Sequence, residues 1–188
     1  MGNNASNVSA GKPKITGSIF SAPVGTDLPS NATADLADAF KCLGYVSDAG
    51  VVNGTAMEST KIKAWGGDTV LVIQTSKDDT YKFTLIEVKN VDVLKFVYGA
   101  DNVTGDLSSG LTVKANNLET PEVSLVIDMI LSDNTAKRTV IPKAKISALD
   151  DITYADNSVI GYGTTLDCVP DADGNTHTDY MIKQVVSG

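Results

Sequence analysis

Downstream of Asp68 the apolar residues recur mainly at every second position, the period of a strand with one face turned inward. In DTVLVIQTS, Val70 and Val72 fall on one face and Leu71 and Ile73 on the other. In TYKFTLIEV, Tyr81, Phe83 and Leu85 alternate with Lys82, Thr84 and Ile86, and the Ser76-Lys77-Asp78-Asp79 stretch between these runs predicts a hairpin turn. EVSLVIDMILS is the most regular strand: Val123, Leu125, Ile127, Met129 and Leu131 make one unbroken apolar face. Its other face mixes Ser124, Val126, Asp128 and Ile130. Asp133-Asn134 predicts a turn into KRTVIPKAKISAL, where Pro142 has no N–H to donate and marks an edge position or a bulge. NSVIGYGTTLDCV is a further strand, PDADGNT a turn, and HTDYMIKQV a final strand.

Two segments change to helical spacing. In TADLADAFKCLG, residues Ala34, Leu36, Ala37, Phe40 and Leu43 share a helical face, and Gly44 is placed to end it. In NVDVLKFVYG, Asn90 predicts an N-cap, Asp92 lies in the first turn where the helix dipole favours it, and Gly99 is the stop. Between Tyr45 and Asp68 glycines punctuate the chain, with turns predicted at Ala49-Gly50 and Asn53-Gly54 and a Gly66-Gly67 pair after Trp65. This predicts a long loop over 47–67, and loops of that length are usually functional or extend from the body. The predicted class is mainly β, a sandwich or barrel of two packed sheets with one or two short flanking helices. Residues 1–14 read as a flexible arm, 15–182 as a single β-domain and 183–188 as a C-terminal tail.

Composition narrows the functions. A formal net charge of −8 and a single arginine, Arg138, argue against nucleic-acid binding, which needs basic surface to displace counterions. Aromatic residues are 6% of the chain, so the core must be filled mainly by aliphatic side chains. Cys42 and Cys168 make no disulfide framework and read as free thiols. No apolar run approaches the roughly 18 residues of a membrane span, and MGNNASNVSAGKPK lacks the apolar centre of a secretory signal.

Candidate chemistry is sparse. The single histidine, His177, follows a turn and reads as a surface residue, with no Cys or Ser elbow beside it for a triad. Walker, dinucleotide and zinc spacings are absent, so neither cofactor nor metal is expected. Asp171-Ala172-Asp173-Gly174-Asn175 imitates a calcium loop, but its twelfth position is Ile182 rather than Glu, which leaves a turn. Glu87, Asp128 and Asp167 fall inside predicted strands, where they are either a glycosidase-like acid pair or solvated and lumen-facing positions. Trp65 either caps the core where the loop re-enters the sheet or anchors a partner. The chain is expected not to be an enzyme.

Four runs of this sequence resemble the major tail proteins of long-tailed, non-contractile bacteriophages. They are GKPKITGSIFSAPVGTDLPSNATADLADAFKCLGYVSDAGV, IKAWGGDTVLVIQTSKDDTYKFTLIEVKNVDVLKFVYGADNVTG, SLVIDMILSDNTAKRTVIPKAKI and TTLDCVPDADGNTHTDYMI. The resemblance implies a tail-tube subunit of the virion: protomers closing into hexameric rings, rings stacking into a tube, and DNA passing through without specific binding. It implies assembly in the host bacterial cytoplasm, with the tape-measure, tail terminator and distal tail proteins as partners besides further copies, and no membrane. It also implies that the long loop reaches a neighbouring ring, with Ser47, Asp48, Val51, Asn53, Met57, Lys61, Trp65, Gly66 and Gly67 as its candidate contacts. Glu87, Asp128 and Asp167 are then candidate channel-facing acids, because an acidic lining would keep DNA from adhering. Strand content and turns alone also fit a β-sandwich binding module, an adhesin or carbohydrate-binding domain. Such a module should display an aromatic platform or an ion site.

Overall fold

The computed structural model describes residues 2–14 and 17–184. In chain order the strands are β1 (Gly11–Pro13), β2 (Ile19–Pro23), β3 (Lys41–Cys42), β4 (Val46–Lys63) and β5 (Thr69–Leu85), followed by helix α1 (Val91–Tyr98). After it come β6 (Val103–Thr104), β7 (Thr112–Val113), β8 (Val123–Leu131), β9 (Thr135–Leu149), β10 (Tyr162–Cys168) and β11 (Thr178–Lys183). The protein is mainly β, as its periodicity predicts: a large antiparallel sheet, a small β6–β7 sheet and no closed barrel. The large sheet runs β3-β2-β8-β9-β10-β5-β4, with β1 beside the far end of β8 and β11 beside the near end of β9.

The sheet curls around one apolar core that α1 closes. Leu125 and Ile127 from β8, Ile141 from β9, Leu166 from β10 and Phe83 and Leu85 from β5 meet Val93, Leu94, Phe96 and Val97 of the helix there. The opposite face of β8 and β9 is also covered. Val126 and Val140 pack with Ala22 and Phe40, and Leu36 and Ala37 lie against them. Both faces of β8 are therefore buried, which is why its second face carries Val126 as well as polar residues.

Helix α1 forms where its local signals placed it. Asn90 accepts a hydrogen bond from the Asp92 amide at 3.0 Å, and Gly99 ends the helix at φ 89°. The helix expected over residues 33–43 does not form. This segment crosses the sheet irregularly, turns at Ala37–Phe40 and ends in β3. Its apolar residues still face the protein. Two backbone acceptors at and just before its start, however, are engaged from outside, because the Arg138 guanidinium donates to the carbonyls of Asn31 and Ala34 at 3.2 and 2.6 Å.

The long loop expected over 47–67 is corrected to strand, with 46–63 pairing against 69–85 almost throughout. Only residues 64–68 turn, where Gly66 and Gly67 take φ of 120° and 101°. The turn expected at Ser76–Asp79 is likewise absent. These residues pair with Glu58 to Thr55, and β5 runs straight through apart from a bulge opposite Glu58/Ser59. Pro142 is at a bulge, as one of its two expectations had it, but on a central strand: the Ser124 hydroxyl donates to its carbonyl at 2.7 Å where the β8–β9 register shifts. The expected N-terminal arm stops short of residue 14, since Gly11–Pro13 pair with Met129–Leu131. Met1, Ile15, Thr16 and residues 185–188 of the expected C-terminal tail lie outside the described residues.

Candidate assembly surface

The outer sheet edge carries the candidate surface. Residues 80–85 of β5 pair with β10 on one side and β4 on the other, and Tyr81, Phe83 and Leu85 enter the core. Beyond them β4 and β5 continue as a two-stranded ribbon with no third strand among the described residues. Ile62 stands opposite Leu71 and Thr60 opposite Ile73 on one face, while Lys61 and Val72 share the other with Val70. All of these apolar side chains are exposed, as is Met57, and Trp65 at the turn is fully so. A free two-stranded ribbon is marginal in water, and exposed apolar area of this extent marks an interaction surface.

The residues predicted as loop contacts spread along the whole ribbon. Ser47 and Asp48 lie at its origin, Asn53 at its root, Met57 midway, Lys61 near the tip, and Trp65, Gly66 and Gly67 in the turn. Val51 is separate from the rest: opposite Phe83, it packs half-buried against the core.

A polar knot fastens the root. Asp79 is buried and accepts hydrogen bonds from the hydroxyls of Thr55 (2.6 Å) and Thr176 (2.5 Å). Those bonds hold its carboxyl below the usual aspartate range despite burial. His177 is not the free surface residue its position suggested. Its Nδ1 lies 3.9 Å from Asp79, and its ring stands edge-on to Tyr81 with centroids 5.6 Å apart. Nearby, burial pushes the Asp179 carboxyl up, but the Lys137 ammonium at 2.7 Å and the Thr139 hydroxyl at 2.5 Å outweigh it and lower it. Tyr81, Lys137, Thr139, His177 and Asp179 line a cleft of about 260 Å³. Burial also pushes the Cys168 thiol up to about 12, which keeps it protonated at neutral pH. Sequence reasoning missed Asp79 because it placed a solvent-exposed turn there.

The three predicted acids have separate settings. Glu87 lies past the end of β5 rather than in a strand, and its carboxylate accepts from the Tyr45 amide at 2.9 Å and the Asn90 side chain at 3.0 Å. It therefore ties the start of β4 to the cap of α1. Asp128 is corrected outright as an open acid, because it is buried and gripped by Arg138 through bonds of 2.6 and 2.8 Å. Asp167 is exposed on β10 and accepts from the Ser147 hydroxyl at 2.8 Å.

A β-domain whose two-stranded ribbon leaves its apolar side chains uncovered presents a surface suited to meeting other chains. The family model described as "Phage tail tube protein" matches residues 1–186, and the chain belongs to that family. It is a structural component of the virion tail and assembles with itself into a tail tube. No curated protein matches the chain.

Proposed function

We propose that the protein closes into hexameric rings that stack into the conduit through which DNA leaves the virion, and that the β4–β5 ribbon joins one copy to the next. The observation that carries this reading is the ribbon itself, whose Leu71 and Ile73 on one face and Val70 and Val72 on the other are exposed, with nothing covering them among the described residues. A neighbouring copy would bury it and supply the contacts an isolated hairpin lacks. The net charge of −8 suits a passage that DNA crosses without adhering, with Asp167 the exposed candidate among the three predicted acids. Copies assemble in the host cytoplasm around a tape-measure protein, and terminator and distal tail proteins cap the two ends. Negative-stain microscopy of concentrated protein tests this, with six-fold rings or tubes around a central hole as the expected result. A variant in which Asn-Gly replaces residues 57–77 should stay folded and monomeric. Tubes from that variant would remove the ribbon from the reading.

A further inference from the structure

Two lysines and a run of aspartates lie near opposite ends of β5, and Asp68 is exposed in the turn beside the lysines. At the turn end, Lys61 and Lys63 are exposed on the ribbon face that also holds Val70 and Val72. Neither lysine forms an ion pair among the described residues. At the other end, the irregular segment 150–161 lies against β5 and β10: Asp150 pairs with Lys82 at 3.1 Å, and Gly161 packs close to Thr84. From residue 146 to 182 the chain contains seven aspartates and neither Lys nor Arg. Within 150–161, Asp151 and Asp156 are exposed and form no ion pair among the described residues, and Tyr154 and Val159 beside them are exposed apolar surface.

Strand β5 is seventeen residues long, roughly 55 Å at about 3.3 Å per residue. Lys61 and Lys63 therefore cannot fold back onto the 150–161 segment of their own chain. We infer that the Lys61/Lys63 face of the ribbon seats on the 150–161 segment of a second copy, with Asp151 and Asp156 as its charge partners. Complementary sites at opposite ends of one strand make a head-to-tail contact, which propagates into closed rings or helical filaments instead of stopping at a dimer. Opposite charges fix the register of that contact, and the apolar residues beside them supply the buried area. This inference rests on the reading of the ribbon as the surface that joins copies.

Charge exchange tests it with the full chain. One variant carries Lys61→Glu and Lys63→Glu; the other carries Asp151→Lys and Asp156→Lys. Each alone sets like charge against like at every junction, and its concentration threshold for tubes should rise about tenfold. Mixed in equal amounts, the glutamate tips meet lysine segments and the lysine tips meet aspartate segments, so tubes should return near the unmodified threshold. If each variant assembles alone as well as the parent, or if the mixture fails along with its components, the acidic seat is overturned. In either case the shortened-ribbon variant still decides the broader reading: it would remain monomeric if the ribbon joins copies by other contacts, and would form tubes if the ribbon joins nothing.

Discussion

Asp128 and Arg138 stand directly opposite each other on β8 and β9, and the guanidinium grips the carboxylate through two hydrogen bonds. Both side chains are buried, and Lys14 approaches the same carboxylate at 3.7 Å. The remaining guanidinium nitrogen reaches across to the carbonyls of Asn31 and Ala34, so one residue fixes the sheet register and the covering segment together. Arg138→Ala should lower unfolding free energy by about 3–5 kcal/mol, because it strands a buried carboxylate. Arg138→Lys keeps the charge but loses the planar fork and should recover only part of it. Urea denaturation measures both. Limited proteolysis should cut both variants faster within residues 24–40 than the parent.

Acid should weaken the ribbon root. The carboxyls of Asp79 and Asp179 are held below their usual range in the folded protein, so each contributes stability only while ionised. That contribution is fully present above about pH 5 and fades as pH falls through the unfolded-state value of about 3.9 toward the lower folded one. Urea midpoints taken between neutral pH and this acid range should decline, and the decline should be shallower in Asp79→Asn. An identical acid slope in that variant would show that Asp79 plays no part.

Gly44 has a second, steric role for Glu87. It takes φ 70°, and a Cβ there would collide with the Glu87 carboxyl group. Gly44→Ala should destabilise the protein by about 1–3 kcal/mol through backbone strain and loss of the carboxylate's bond to the Tyr45 amide. Adding Glu87→Ala removes the collision but not the strained φ. The double variant should therefore lose less stability than the two single losses combined, in a denaturation cycle.

Trp65 reports on assembly directly, since it is the single tryptophan and fully exposed in the free chain. Its emission should be that of a solvated indole in dilute protein and should shift to the blue when tubes form. Trp65→Ala should change the unfolding free energy by less than about 0.5 kcal/mol, because the side chain touches little of its own chain. Its effect should appear in the tube threshold instead.

What the sequence revealed depended on how local the deciding interaction is. Helix α1 was legible because Asn90 and Gly99 carry its start and stop within the segment itself. β8 was legible because Leu125 and Ile127 must alternate toward one core. The 33–43 segment had the right period, yet the donor that claims its carbonyls is Arg138, distant in sequence. The β4 half of the ribbon reads as a loop for the opposite reason, although its β5 half reads as strand. A strand that buries neither face shows no alternation, so 46–63 carries polar residues on both sides and 70–73 apolar ones on both. The same absence of a buried face that hid β4 as a strand marks the ribbon as a surface awaiting a partner. For the root, Asp79 looked like turn chemistry until β4 was laid beside it.

The central place of β8 and β9 also sets the order in which the chain can fold. β2 pairs with residues 123–127, β1 with 129–131, and β11 closes the far side of β9 at 135–140. The β4–β5 pairing, by contrast, is local in sequence, and both of its strands have been made by residue 85, although residues 80–85 still await β10. A nascent chain therefore exposes the apolar residues of both ribbon strands while its earlier strands still wait for their β8 partner to leave the ribosome. The interval between those events is when the polypeptide is most exposed to premature association, and slowing translation through residues 86–131 would lengthen it.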